Sequence, residues 1–392
     1  MTKQRPAYIL PVIVVSQFAG TSLWFAGNAV LPDIQQALHL TATGPGAITS
    51  SVQLGFIAGT FIFALLHIAD RFPAARVFFI CSLAGAVANA GMIWWASGQW
   101  SLMACRFLTG FFLAGIYPVG MKIAADWYEK GLGKALGWLV GALVLGTAFP
   151  HLLKGSTHNV AWQAVVTGTS LVAAGGGLLL WLLVPDGPYR KQSTAFHPSA
   201  MVNIFRAARF RAVATGYFGH MWELYALWAF VPVLINLHTQ NNGVQHNTAL
   251  WSFLCIGIGG VGCVAGGYLS QKLGNARVAF YSLLLSGACC CLSYFMVQAA
   301  SPLFLLFLLL WGITVTPDSP QFSTLVAQMA PVENKGTALT LVTSIGFAIS
   351  IASIELVGYL FHHFSSPLVF IVLAPGPLIG IRALARLPAR HS

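Results

Sequence analysis

Only a handful of side chains in this sequence could take part in proton or charge chemistry, and several of them lie inside long apolar runs. Asp, Glu, Lys and Arg make up 7% of the 392 residues, against about 25% in an ordinary soluble protein. Glu223, His220, Asp318 and Arg106 fall within runs of roughly 20 apolar residues, the length of a membrane-spanning helix. Because a charge in hydrocarbon is costly, such residues are expected to serve a function.

The carboxyl group of Glu223 is suited to reversible proton binding. It lies near the middle of its apolar run, where loss of water favours the neutral acid. It could therefore bind a proton from one side of a membrane and release it to the other. His220 lies one helical turn away and could share the charge. Arg106 stays protonated and could bind an anionic solute or pair with Glu223 or Asp318. Alternatively, these residues could form a permanent ion pair with a purely structural role.

Other polar side chains share helical faces with these groups, at 100° per residue. Gln17, Trp24 and Asn28 form one stripe, and Tyr117 shares a face with Arg106. Nearby prolines, at 317 and 320, would kink the helix that carries Asp318 and free carbonyl groups. Packing explains the aromatic residues equally well. The candidate solute- or proton-binding residues are Gln17, Trp24, Asn28, Arg106, Tyr117, His220, Glu223, Tyr225, Asp318 and Gln321.

Twelve apolar runs are predicted to cross the membrane as helices, since about 20 residues rising ~1.5 Å each span the hydrocarbon. They are numbered here as spans one to twelve. The first run is too long for a removable signal peptide and is expected to remain. The predicted spans lie near 8–31, 46–69, 77–97, 100–124, 132–152, 162–184, 212–236, 248–269, 278–299, 302–325, 337–361 and 367–385.

The placement of the cations predicts the orientation. Seventeen Lys and Arg residues lie at one set of loops and termini, and the opposite loops hold only Lys154. Cytoplasmic loops carry such an excess, so both termini are expected in the cytoplasm and the chain in the cell (inner) membrane. The net charge of +11 therefore reflects topology, and no nucleic-acid partner is expected.

The two halves of the chain repeat each other. The turn at 69–77 returns at 270–278, Leu23-Trp24 returns as Leu227-Trp228, and the offsets stay between 201 and 204 residues. Such a period indicates a duplication. The predicted organisation is an N-terminal six-helix half, 1–184, a basic cytoplasmic linker, 185–211, and a C-terminal six-helix half, 212–392.

Several classes of site are not expected. The seven cysteines all lie in apolar runs without a Cys-x-x-Cys pair, which argues against disulfides and metal sites. Glycines 175–177 lack the Lys-Ser/Thr of a nucleotide loop. No nucleophile–base pair is visible. The prediction is a protein that is not an enzyme and uses no cofactor other than a proton gradient.

The loop between spans two and three carries a family resemblance. Asp70-Arg71 followed by Arg76, together with Arg106-x-x-x-Gly110 in span four, resembles motifs of the major facilitator superfamily of secondary transporters. Pro73 and Leu66 replace two signature glycines, and span five lacks the Gly-Pro-rich motif of the family's antiporters. The resemblance implies an all-α polytopic membrane fold of twelve helices in two six-helix repeats. It also implies that spans one, four, seven and ten line a cavity, whereas the uncharged spans three, six, nine and twelve face lipid.

The resemblance further implies gating by this loop. In the family an Asp of this kind is held in one conformation and released in the other, which would make Asp70 a latch. Anchoring of the loop at lipid headgroups is the alternative. His151 and Glu355 occupy equivalent positions in the two halves and are expected to form an outer gate or proton site, or to stand separately at the rim. The candidate gating residues are Asp70, Arg71, Arg76, Gln271, Lys272, Arg277, His151 and Glu355.

Together these features predict a proton-coupled secondary transporter of a small organic solute that works by alternating access, with export by proton exchange favoured. Proton-coupled uptake of an anionic metabolite and a non-transporting solute sensor on the same fold are the alternatives. The expected partners are the solute, protons and the lipid bilayer, and the chain is expected to be a monomer.

Overall fold

The long apolar runs of the sequence form helices wherever the structure describes them. This computed structural model describes residues 6–40, 44–128, 132–156, 160–190, 204–331 and 335–386, and every regular element in those ranges is helical. Eleven of the helices in these ranges are long and apolar enough to cross a membrane. The predicted all-α class is confirmed, whereas the predicted count of twelve spanning helices is not.

The first unit consists of residues 1–193 and 247–260. Its spans two, three, five and six are continuous helices, and spans one and four are each divided. A four-residue helix, Ile68–Arg71, follows span two. The helices are Ile9–Thr21, Ala26–Ala29 and Leu31–Ala37 for span one, Pro45–Leu65, Ala74–Trp94, Gln99–Leu113 with Tyr117–Trp127 for span four, Leu132–Gly155 and Trp162–Leu183.

The second unit consists of residues 194–246 and 261–392. Spans seven, nine and eleven are continuous, span ten is divided, and span twelve begins as a 3-10 helix. Span eight is one helix whose residues fall partly in each unit. The helices are Ala208–Asn242, Thr248–Leu273, Asn275–Val297, Ser301–Thr314 with Asp318–Met329 for span ten, Lys335–Phe364, and Pro367–Leu373 with Pro375–Ala385 for span twelve.

The divided spans have local causes. In span one, the hydroxyls of Thr21 and Ser22 bond to the carbonyl groups of Gln17 and Ala19, at 2.8 and 2.7 Å, and so compete with the helical ladder. The regular helix ends there, and the next begins at Ala26. Span ten breaks before Asp318, as its prolines predict, because proline lacks the N–H and clashes with the preceding turn.

Equivalent pairs of helices cross very closely in the two units. In the first unit, a Cβ on Gly55 or Gly59 of span two would overlap a carbonyl group of span four, at Phe107 or Phe111. In the second unit, span eight approaches span ten in the same way. There a Cβ on Gly262 would overlap the carbonyl group of Ile313, and one on Gly266 would lie 3.0 Å from the oxygen of Pro317. Small residues let helix backbones approach this closely.

Candidate functional site

The carboxyl group of Glu223, on span seven, is surrounded by neutral hydrogen-bond donors of the second unit. Trp311 of span ten donates through Nε1 to Oε1 at 2.7 Å, and the Cys290 thiol donates to the same oxygen at 3.3 Å. The Ser286 hydroxyl of span nine donates to Oε2 at 2.8 Å. Glu223 is 1% exposed. Within the described part of the chain, the carboxyl group of Glu223 is thus held by neutral donors and by no cation, so a proton could neutralise its charge.

His220 pairs with Asp318 rather than with Glu223. Its Nδ1 lies 3.0 Å from Oδ1 of Asp318, and both side chains are 1% exposed. Its Nε2 has no hydrogen-bond partner among the described residues. Asp318 is the first residue of the second helix of span ten, Asp318–Met329, where the positive end of the helix dipole favours a carboxylate. The second unit thus holds two buried carboxyl groups, of which one has a histidine partner.

Aromatic rings surround this histidine. The ring centroids of Tyr217 and Phe322 lie 6.0 and 6.2 Å from that of His220, and the two rings are 6.2 Å from each other. Gln321, another of the predicted solute- or proton-binding residues, is also buried. Further along span seven, the ring of Tyr225 packs against those of Trp228 and Phe347, with centroid distances of 5.2 and 5.0 Å. Packing within the unit accounts for these contacts of Tyr225.

In the first unit, Arg106 of span four bonds to the broken part of span one. Nη2 donates to the carbonyl oxygen of Leu23 at 3.0 Å and also to that of Trp24. Nη1 donates to Oδ1 of Asn89, on span three, at 2.8 Å. The side chain is fully buried, and no acidic residue of the described ranges forms an ion pair with it. The guanidinium therefore caps carbonyl groups that the break in span one sets free.

The amide of Asn89 extends this network. Its Nδ2 donates to the hydroxyl groups of Ser170 and Thr169 of span six at 3.0 and 3.2 Å, and it lies 3.3 Å from the carbonyl oxygen of Val166. Both the oxygen and the nitrogen of the Asn89 side-chain amide therefore form hydrogen bonds. The network links spans one, three, four and six of the first unit through a single buried cation.

The remaining predicted residues of span one lie within the first unit. Gln17 is fully buried, and neither atom of its amide has a hydrogen-bond partner among the described residues. Asn28 donates to Thr49 of span two at 2.7 Å, and the ring of Trp24 lies 5.0 Å from that of Phe56. Tyr117 is half-buried and begins the second helix of span four. The predicted stripe is therefore buried, with most of it in contact with span two.

The predicted gating residues are placed as follows. The side chain of Asp70 lies outside the described part of the structure. His151 is buried, and its Nε2 has no hydrogen-bond partner in the described ranges. Glu355 is exposed, and so are the other predicted residues of the two loops, namely Arg71, Arg76, Gln271, Lys272 and Arg277.

Four residues whose side chains bond directly to Glu223 or Arg106 were not predicted from the sequence: Asn89, Ser286, Cys290 and Trp311. Three of them lie on spans three and nine, which were expected to face lipid only. Each is buried and points its polar atom at a charged group. A small polar or aromatic residue in an apolar run is usually a packing residue, so the sequence carries little signal for them. The described residues contain no group of three or more His, Cys, Asp or Glu that could hold a metal ion.

Comparison with known proteins gives both sequence and structural relatives. A Haemophilus influenzae protein whose name provisionally assigns it to metabolite transport is 29% identical over 160 residues, 39% of this chain and 37% of that protein. YgaY, an uncharacterized transporter of Escherichia coli, is 26% identical over 206 residues, 51% of this chain and 50% of its own length. The match thus spans half or less of each of these relatives.

Two solved structures have a similar fold. The human organic anion transporter MFSD10 superimposes with a TM-score of 0.75 at 16% identity, over 97% of this chain and 100% of that chain. The nucleoside transporter NupG superimposes with a TM-score of 0.72 at 13% identity, over 96% of this chain and 99% of that chain. At such identities the likeness concerns the fold.

The family itself follows from the sequence match. The family model described as Major Facilitator Superfamily matches residues 13–354, and it matches residues 213–392 as well. The first match extends over most of the chain, and the second covers the C-terminal half alone, as a duplicated sequence would. This chain is therefore a multi-pass membrane protein that belongs to the Major Facilitator Superfamily.

Proposed function

We propose that this chain is a proton-coupled secondary transporter of a small organic solute that works by alternating access. The observation that carries the proposal is the setting of Glu223, a buried carboxyl group in a membrane-spanning helix that has three neutral donors and, among the described residues, no cation bound to it. An intramembrane ionisable group of this kind is typical of proton relays.

The coupling follows from the cost of charge in the bilayer. A charged Glu223 needs all three of its donors in place, whereas a protonated Glu223 is neutral and depends on them less. Any rearrangement that moves spans nine or ten away from span seven therefore favours the protonated form. Proton binding and conformation are linked in this way, and a proton gradient can bias the direction of the cycle.

The second buried carboxyl group supports the same function. The pair of His220 and Asp318 lies next to two aromatic rings, so polar and apolar recognition are available at one place. This mixture suits an organic solute that has an apolar body and a polar group. We favour export by proton exchange on this basis. The chain would lie in the cytoplasmic membrane with both termini in the cytoplasm. The loops around Asp70 and Gln271 would act as gates.

Proton-coupled uptake of an anionic metabolite is the second candidate. It is favoured by Arg106, a buried guanidinium without an acidic partner in the described ranges. The names of two similar proteins point the same way, since one refers to metabolite transport and the other to organic anions. The two candidates differ in the sign of the coupling and in the charge of the solute.

The experiment uses purified protein in lipid vesicles. A panel of organic cations, anions and neutral compounds is first screened for binding by thermal shift, and labelled forms of the compounds that bind are then tested for accumulation under pH gradients of either sign. Accumulation on the acidic side supports proton exchange, and accumulation on the alkaline side supports uptake with protons. Binding without accumulation under any gradient would overturn the transport proposal and favour a sensor.

A further inference from the structure

The two carboxyl oxygens of Glu223 are in different chemical surroundings. Oε1 accepts from the indole N–H of Trp311 at 2.7 Å and from the thiol of Cys290 at 3.3 Å. Oε2 accepts from the hydroxyl group of Ser286 at 2.8 Å. An indole N–H can only donate, whereas a hydroxyl group can both donate and accept. The two oxygens are therefore not equivalent as places for a proton.

A proton on Oε1 would conflict with its neighbours. The acid O–H would face the N–H of Trp311, two donors would oppose each other, and one would lose its partner. A buried donor without an acceptor is costly. A proton on Oε2 meets the oxygen of Ser286 instead, which has lone pairs to accept it. The geometry thus favours Oε2 over Oε1 as the oxygen that binds the proton.

Ser286 also has a second acceptor for its own hydroxyl proton. Its Oγ lies 3.5 Å from the carbonyl oxygen of Leu283, one turn earlier on span nine. When Glu223 is charged, the Ser286 hydroxyl donates to Oε2. When Glu223 is neutral, that hydroxyl can turn to Leu283 and leave its oxygen free to accept. Both protonation states then keep every polar atom of the pair in a hydrogen bond.

We propose that Glu223 binds its proton at Oε2 and that Ser286 is the positioning residue that accommodates it by reversing the direction of their hydrogen bond. A hydronium ion gives one proton to Oε2 and becomes water, one O–H bond forms, and release is the reverse of this step. Trp311 and Cys290 keep donating to Oε1 throughout. This assignment rests on the proposed proton coupling and adds to it the atom and the neighbour involved.

The ionisable groups around this site belong to three helices. Asp318 of span ten and the thiols of Cys289 and Cys290 of span nine interact electrostatically with Glu223. His220 lies on the same helix as Glu223 and pairs with Asp318. In the described ranges, spans eleven and twelve, which also pack on span seven, contribute no ionisable group to Glu223. The neutral hydroxyl of Ser286 is thus the group that can respond to the proton directly.

Infrared difference spectroscopy tests the assignment without any solute. Protein in lipid vesicles is titrated in heavy water, and the band that disappears in Glu223→Gln identifies the protonated carboxyl group. Ser286→Ala removes the acceptor of the O–D group of Glu223, so the O–D stretch should move to higher frequency. Ser286→Thr should restore the wild-type frequency. Trp311→Phe removes a donor from Oε1, so the C=O stretch should rise while the O–D stretch stays. Ser293→Ala, on the same helix and bonded to the Cys290 carbonyl, should change neither band.

The outcomes separate this inference from the proposed function. An O–D stretch that moves in Trp311→Phe and not in Ser286→Ala would place the proton on Oε1 and overturn the assignment alone. A Glu223 band that never changes with pH would overturn the assignment together with the proposed coupling. Because the readout is spectroscopic, a merely structural role of Ser286 would leave the O–D stretch of a folded variant in place.

Discussion

At the scale of the residue, Glu223 carries the proposed coupling, and its neutral analogue gives the most direct test. In Glu223→Gln the amide oxygen can accept from Trp311, and the amide nitrogen can donate to Ser286, so the variant resembles the protonated acid. We expect a pH gradient to lose its effect on accumulation, which should fall to the level seen without a gradient, while exchange of labelled solute across vesicles persists.

The control for this change is Ser293→Ala, which removes a buried hydroxyl of the same unit that donates to the carbonyl oxygen of Cys290. It should accumulate solute as the wild type does. Accumulation by Glu223→Gln that still followed the pH gradient would remove Glu223 from the mechanism.

Arg106 is expected to act mainly on stability. Arg106→Lys keeps the charge but loses the planar fork that reaches Asn89 and two carbonyl groups together. Because buried acceptors would be left unsatisfied, the free energy of unfolding should fall by roughly 2–4 kcal/mol. Chemical denaturation in detergent measures this. Unchanged stability with weaker solute binding would instead assign Arg106 to the solute and favour uptake of an anion.

The candidate site could be predicted from the sequence only in part. Ionisable residues in apolar runs are conspicuous, so Glu223, Asp318, His220 and Arg106 could be selected from the sequence. Their partners could not, because helical phase orders residues within one helix and says nothing about which neighbour they face. His220 accordingly bonds to Asp318 on span ten, although Glu223 is the carboxyl group closer in sequence.

At the scale of the element, the ends of the predicted spans lie within about six residues of the ends of the helices, and the largest differences are at the ends of spans one and seven. Span ten was expected to break because its prolines are explicit signals. The break in span one depends on hydroxyl groups bonding to backbone carbonyls and on capping by Arg106. Neither cause shows in the composition of an apolar run, so a continuous first helix was predicted.

The close crossing of spans two and four should be sensitive to a single methyl group. In Gly55→Ala the new Cβ overlaps the carbonyl oxygen of Phe107, and backbone on both sides must shift. We expect the free energy of unfolding to fall by about 1–3 kcal/mol, as for other overpacked sites. The midpoint of thermal unfolding, followed by tryptophan fluorescence, measures the change.

Gly175→Ala on span six is the matched control, since nothing lies within 4 Å of the added Cβ. Alanine favours a helix over glycine by about 0.5–1 kcal/mol, so this variant should be as stable as the wild type or more so. Equal losses in both variants would contradict the role of the crossing.

At the scale of the whole molecule, the repeat in the sequence returns in the contacts within each unit. Spans two and four cross at glycines as spans eight and ten do. Spans three and nine, which are equivalent in the repeat, each support a buried ionisable group, but these groups lie on non-equivalent helices: Asn89 bonds to Arg106 of span four, whereas Ser286 and Cys290 bond to Glu223 of span seven. The duplication could be predicted, but the opposite signs of the two charges give the units different chemistry.

The orientation in the membrane remains a prediction, and it can be tested by labelling. Lys154 and Asp33 form an ion pair at 2.8 Å, so these ends of spans one and five lie on one face, predicted to be the outer one. In a Cys291→Ser background, Gln245→Cys should react with an impermeant maleimide from outside intact cells, because its loop carries no Lys or Arg. Gln271→Cys, beside Lys272, should react only after permeabilisation. Reaction of both from outside would reject the predicted topology.

The most direct test of proton-coupled transport is a proton flux that depends on solute. Purified protein is reconstituted in vesicles with a trapped pH dye, and organic cations, anions and neutral compounds are added in turn to wild type and Glu223→Gln. We expect at least one compound to trigger a change of internal pH in the wild type and no compound to do so in Glu223→Gln. The sign of the change distinguishes exchange from uptake with protons. Solute movement in the wild type without any change of internal pH would contradict proton-coupled transport.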